Sequence, residues 1–171
     1  MNIRLLGAAD AAAFQQLRLA ALLDTPAAFA SSHAEEKDAP LADVARRLVP
    51  RPGHGVLGAF DADALVGTVG LRRESRAKFA HKGVVWGMYV APAARGHGLA
   101  RELMVALIAL ARQTPGLAKL DLVADSMNVA AIALYESLGF AVWGREQDAM
   151  RLDGQPRDDL HMALHLGASA R

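Results

Sequence analysis

The chain has 171 residues, 53% of them hydrophobic, with 19 Lys+Arg against 18 Asp+Glu and a formal net charge of +1. That length fits one domain, residues 1–171, with a substantial core. The charge balance speaks against a dedicated nucleic-acid binder, and the lack of cysteine excludes disulfides, thiolate metal sites and a Cys nucleophile.

In chain order, Ile3 to Leu6 reads as a first strand. It lacks the basic stretch and longer apolar run of a signal peptide. Asp10 is a plausible N-cap for a helix to about Asp24, with Phe14, Leu17, Leu19, Ala21 and Leu22 giving a broad apolar face. Thr25-Pro26 stops it. Phe29 to Asp38 is polar and without a clear period. A second helix is expected from Pro40, with Leu41, Val44, Ala45 and Leu48 on one side.

Strand signals follow at Val56 to Phe60 and Leu65 to Leu71, joined by the turn Asp61-Ala62-Asp63. Arg72 to Lys82 is a basic loop carrying Arg72, Arg73, Arg76, Lys78 and Lys82. Val84 to Val90 is a strand ended by Pro92. Gly98 to Arg112 reads as a helix, because Leu99, Leu103, Met104, Leu107, Leu110 and Ala111 share a face. Leu120 to Ala124 is a strand, Ser126 to Leu138 a helix, and Phe140 to Gly144 another strand. Asp153-Gly154 signals a hairpin turn before Leu160 to Leu166. The longest apolar stretches fall far below the roughly 20 residues that span a bilayer, so a cytoplasmic protein with no membrane partner is expected. The order of elements predicts a mixed α/β (α+β) domain around a largely antiparallel sheet of about six to seven strands, flanked by about four helices.

Val84 to Arg112 carries the most chemistry. A strand ends at Val90-Ala91-Pro92, and the loop Ala93-Ala94-Arg95-Gly96-His97-Gly98 leads straight into a helix. The first N–H groups of a helix have no internal partner and sit at its positive end. Glycines let that backbone approach an anion closely. This is the physics of a diphosphate cradle, with Arg95 and Arg101 adding charge nearby. A dinucleotide fingerprint is disfavoured because Arg101 stands where its third glycine belongs, and no Gly-Lys-Ser/Thr of a nucleotide P-loop follows.

The string Tyr89-Val90-Ala91-Pro92-Ala93-Ala94-Arg95-Gly96-His97-Gly98-Leu99-Ala100 resembles the acetyl-CoA signature of the GNAT superfamily of N-acetyltransferases. A second stretch, Asn128 to Phe140, is similar to that family's Asn-x-x-Ala-x-x-Leu-Tyr-x-x-x-Gly-Phe element at every fixed position. The resemblance implies a V-shaped cleft between the strands at Val84 to Val90 and Leu120 to Ala124. In it, backbone groups of Gly96, His97, Gly98, Leu99 and Ala100 would bind the pyrophosphate of acetyl-CoA, and Met88 and Val90 would border its acyl-pantetheine arm. Asn128 would cap its helix and offer its amide to that arm. The implied activity is acetyl transfer to a primary amine of a small molecule or peptide by direct attack in a ternary complex. The alternatives are a protein N-terminal acetyltransferase and a non-catalytic acyl-CoA sensor. A homodimer is compatible with either.

Catalysis would need a neutral amine, donors for the oxyanion and a proton for the departing thiolate. Gly87 inside a strand predicts a bulge near Gly87–Met88 that turns an N–H toward the acetyl carbonyl. Tyr135 is the candidate acid at sulfur. Many relatives place a Glu on the strand before the signature, but Val84-Val85-Trp86-Gly87-Met88 contains no acid. The substitutes are Glu35, Glu36, Asp125 and His81, directly or through water; Glu35 is preferred because the resemblance implies that the loop from Phe29 to Asp38 borders the acceptor side. No metal is expected: His161 and His165 share a strand face, but no third ligand is evident. Trp86 and Trp143 are open between core and acceptor pocket.

Overall fold

The computed structural model describes residues 1–167. Its elements are β1 (Asn2–Leu5), α1 (Ala11–Asp24), α2 (His33–Glu36), α3 (Leu41–Leu48), β2 (His54–Asp61), β3 (Ala64–Arg73), β4 (Lys82–Val90), α4 (Leu99–Gln113), β5 (Lys119–Asp125), α5 (Val129–Ser137), β6 (Ala141–Leu152) and β7 (Gln155–His165), with short 3-10 turns between some of them. The seven strands form one sheet in the order β1-β2-β3-β4-β5-β7-β6. All neighbours are antiparallel except β4 and β5.

Alternation along the strands decides the layering. One face is covered by α4 and α5. Leu99, Leu103, Met104, Leu107, Ile108 and Ala111 of α4 pack there with Val69, Leu71, Leu120, Leu122 and Met162 of the sheet. The other face carries α1 and α3, where Phe14, Val44 and Leu48 meet Val56 and Phe60, with Trp86 at the margin. A third cluster ties Leu17, Ala21 and Leu22 of α1 to Phe29 and Tyr89.

Five α-helices are present rather than four, because the polar Phe29 to Asp38 stretch contains the four-residue α2. Its signal is local. Ser32 accepts the Glu35 N–H, and Glu35 accepts the Ser32 N–H at 2.7 Å, a capping box. Asp10 does not cap α1 with its side chain. It accepts the Gly7 N–H at 2.8 Å and holds Arg4 in a bidentate pair. The largest departure is the terminal hairpin. β6 runs to Leu152 and β7 starts at Gln155, so the arm extends well beyond the apolar runs that predicted it.

Leu103 has 0% exposure at the centre of the α4 contact. Leu103→Ala is expected to cost about 2–5 kcal/mol, read as a lower urea midpoint with an unchanged m-value.

Candidate active site

β4 and β5 lie side by side for only three residue pairs, Lys82↔Lys119, Gly83↔Leu120 and Val84↔Asp121. Beyond Val84 they part. On its other edge β4 pairs Thr68↔Tyr89 and Gly70↔Trp86, so two β4 residues, Gly87 and Met88, oppose the single residue Val69. Gly87 has φ +63, a left-handed conformation that L side chains resist. Thr68 Oγ1 donates to the Gly87 carbonyl at 3.2 Å and fixes the bulge. The bulge predicted near Gly87–Met88 is therefore present. It removes these residues from the regular ladder with β3, on the edge away from the gap.

A cavity of about 860 Å³ fills the gap and crosses the plane of the sheet. On the α4/α5 side it is walled by Val90, Ala100, Ala131, Leu134 and Tyr135, with Asn128 at the margin. On the α1–α3 side it is walled by Phe29, Glu36, Arg47, His54, Arg72 and Trp86. Met150 and Asp159 enter from the terminal hairpin, and Asp125 from the end of β5.

At one mouth stands the loop into α4. Gly96 has φ +83 and Gly98, the N-cap, has φ +78. A Cβ built on either would meet nothing within 4 Å. The loop 95–98 is exposed, while the Leu99 side chain is buried in the core. Among the described residues, none of the N–H groups from Gly96 to Arg101 donates to a protein acceptor. An open helix N-terminus flanked by two side-chain-free positions fits a diphosphate.

Arg95 of this loop and Arg101 of the first turn of α4 are braces. Arg95 donates from Nε to the Val90 carbonyl at 2.9 Å and pairs with Asp24, which also accepts from the Tyr89 hydroxyl at 3.1 Å. Arg95 lowers the Asp24 carboxyl below its ordinary range. Arg101 donates to Ser137 Oγ at 2.8 Å and ties α4 to α5. His97 is exposed.

Asn128 caps α5, its Oδ1 accepting the Ala131 N–H at 3.2 Å, which leaves its amide NH₂ for the cavity. Tyr135 is 8% exposed and meets Phe140 edge-on at 6.1 Å. Its hydroxyl makes no hydrogen bond among the described residues, and burial pushes its pKa up to about 12. It is a phenol at neutral pH.

Glu35 is not in the cavity. It is exposed, and its carboxylate is consumed by the Ser32 backbone and hydroxyl, which hold its pKa down. The base preferred from sequence is therefore misplaced: the capping box turns Glu35 outward. Its neighbour Glu36 does line the cavity, but Arg18 holds it through two hydrogen bonds of 3.1 and 2.8 Å and lowers its pKa. Asp125 is 5% exposed and paired to Arg157. His81 does not line the cavity, and neither does the exposed Trp143, whose ring meets that of His161 at a tilt with centroids 5.2 Å apart. Of the basic loop, Arg72 faces the cavity, whereas Arg73 braces Ala80 and Pro115 carbonyls. Asp159 escaped the sequence reading because it lay outside the expected strand.

Residues 15–140 match the family model described as the acetyltransferase (GNAT) family. The chain belongs to the GNAT acetyltransferase family. Two solved structures cover this GNAT domain almost end to end. The Salmonella typhimurium protein yncA, solved with its cofactor acetyl-CoA, is 29% identical with a TM-score of 0.82 over 100% of this chain and 96% of its own. A ribosomal-protein-alanine N-acetyltransferase from Brucella melitensis is 27% identical with a TM-score of 0.78 over 96% and 99%. A curated relative, a mycothiol acetyltransferase from Salinispora tropica, is 41% identical over 90 residues. That match takes in 52% of this chain and 29% of the relative, so the chain spans under a third of that protein. Among the described residues no helix is long and apolar enough to cross a membrane, and no group of three His, Asp or Glu side chains could hold a metal ion.

Gly98→Val places a branched side chain where the cradle is open and strains a left-handed N-cap by about 1–3 kcal/mol. The expected outcome is a folded protein of lower Tm whose acetyl-CoA Kd, by calorimetry, rises at least about tenfold. Unchanged affinity would move the diphosphate site away from α4.

Proposed function

We propose that the protein transfers the acetyl group of acetyl-CoA to a primary amine by direct attack in a ternary complex. One observation carries this reading: the cavity runs through the sheet, with an open helix N-terminus at one end and a polar chamber at the other. A thioester threaded from the α4 side would end beside Tyr135 and the Gly87–Met88 bulge. An amine entering from the α1–α3 side would meet it there. The yncA neighbour, solved with acetyl-CoA, supports the donor. The Brucella neighbour's name supports an amine acceptor.

Each residue then has a task. The N–H groups at Gly96 to Ala100 hold the pyrophosphate, and Val90, Met88 and Asn128 border the pantetheine arm through main-chain and amide groups. The bulge at Gly87–Met88 offers an N–H to the developing oxyanion. Acetyl-CoA, when bound, supplies the activated acyl group. Tyr135 gives the proton that the departing sulfur requires. Burial keeps this phenol protonated across the neutral range, so the proton is in place, but it also makes Tyr135 a weak acid.

Thiol release, followed with a panel of spermidine, tyramine, glucosamine and an alanine-terminated tripeptide, tests the reading. Turnover of at least one amine is expected. Tightly bound acetyl-CoA with no turnover on any would make the protein a sensor. Tyr135→Phe is expected to lower kcat by about 10²-fold or more while the KM for acetyl-CoA moves less than about threefold. An undiminished kcat would remove Tyr135 from the acid role.

A further inference from the structure

We propose that Asp159 is the residue that takes the proton from the acceptor ammonium, and that the acceptor is an aliphatic amine which arrives charged. The inference rests on the acetyl-transfer reading and adds the base to it.

Four carboxylate or imidazole groups stand on the cavity wall as proton acceptors. They are His54, Glu36, Asp125 and Asp159. His54 Nε2 faces the Arg47 carbonyl at 3.3 Å. Glu36 is locked to Arg18, and Asp125 to Arg157. A carboxylate held by a guanidinium is a weak base. Asp159 has no cationic partner among the described residues, and its Oδ1 is buried without a hydrogen bond.

Register puts it in the right chamber. Asp125↔Asp159 and Glu146↔Asp159 are paired across β5, β7 and β6, so the three side chains share one sheet face. Leu120, Leu122 and Met162 face the α4 side, and Asp159 is out of phase with them. It therefore points to the α1–α3 chamber, where the amine enters. The β6 register breaks between Glu146 and Met150, with Asp148 at φ +50, and Met150 beyond the break lines the cavity with Asp159. The Asp158 carboxylate fastens it to the Asp148 N–H at 3.0 Å and to Arg145.

The other charges around Asp159 are already committed. Glu146 holds His161 at 3.0 Å, Asp158 holds Arg145, and Arg157 holds Asp125. Burial first, then the Asp125 and Glu146 charges, hold the Asp159 carboxyl above the usual carboxylate range, with His161 opposing them. Such a group is a stronger base than a free aspartate, and a cation brought beside it gains on binding.

The Asp159 carboxylate accepts a proton from the ammonium, directly or through one water, and leaves a lone pair on nitrogen. The N–C bond forms and the C–S bond breaks. Tyr135 gives its proton to sulfur and regains one from the new amide nitrogen, while the proton on Asp159 passes to solvent. One proton is released per acetyl transferred.

Asp159→Asn keeps size and polarity but cannot accept the proton. A carboxyl whose folded pKa exceeds its unfolded value costs stability as pH rises through that interval. The variant is therefore expected to fold at pH 7 with a Tm equal to or above that of the parent. Its rate on spermidine or tyramine at pH 7 is expected to fall by about a hundredfold or more. That rate should climb about tenfold per pH unit toward the amine's own pKa, because free amine then replaces the missing base. The parent should instead be flat above an acid limb set by Asp159. A variant as active as the parent with the same profile overturns the proposal. So does a loss by one constant factor at every pH, which would mark a positioning role. If the parent turns over no amine, the acetyl-transfer reading falls and this one with it; if the parent is active, only the role of Asp159 is at stake.

Discussion

The parting of β4 from β5 is the constraint on which the rest depends. Two neighbouring strands inside a sheet normally satisfy each other's N–H and C=O groups. Here that mutual pairing ends after Val84↔Asp121, and the inner edges beyond it lack a ladder partner. Unpaired backbone groups in a sheet interior are costly, so the fold must hold the strands apart by other means. The Gly87 bulge deflects β4 on one side, pinned by Thr68. Phe140 and Tyr135 prop the foot of α5 on the other. An extended ligand carrying amides can repay the open edge, much as a peptide adds a strand to a sheet. The gap is thus a hole in the scaffold whose unpaired edges are open to such a ligand.

The same logic explains the ion pairs. A through-sheet cavity exposes charges to a partly desolvated space, where a lone charge is expensive. The chain answers by pairing Arg18 with Glu36, Arg157 with Asp125 and Arg95 with Asp24. Each pair also crosslinks elements across the cleft region: α1 to α2, β7 to β5, and the α4 loop to α1. These groups shape and stiffen the chamber, which is why proximity alone does not make Glu36 or Asp125 a base. Against that background, Asp159 is the carboxylate of the cavity wall that has no ion pair among the described residues, a group whose partner is expected to come from outside.

The sequence made the cofactor half legible because its determinants are local. Helix onset, glycine conformation and an Asn N-cap are written within a few residues of where they act, and the apolar period of α4 is unambiguous. The acceptor half is assembled from distant segments, and its signals conflict. Phe29 to Asp38 placed two acids near the chamber, but choosing between them needed the capping box at Ser32, a hydrogen-bond pattern visible in sequence as Ser-x-x-Glu.

Asp159 was hidden for a different reason. The outer part of the β6–β7 arm has two polar faces, so the alternation that betrays a half-buried strand is absent from Gln147 to Asp158. Yet the apolar beat Leu160, Met162, Leu164 sets a phase that can be carried one step backward. Asp159 then falls on the face opposite those leucines, beside Asp125, which is likewise out of phase with Leu120, Leu122 and Ala124. Two acids on facing strands of one sheet, both turned from the core, mark a polar chamber whichever way the arm ends. That phase requires no long strand. It needs only the recognition that β5 and the last strand are neighbours, which is the one fact that neither strand's residues contain alone.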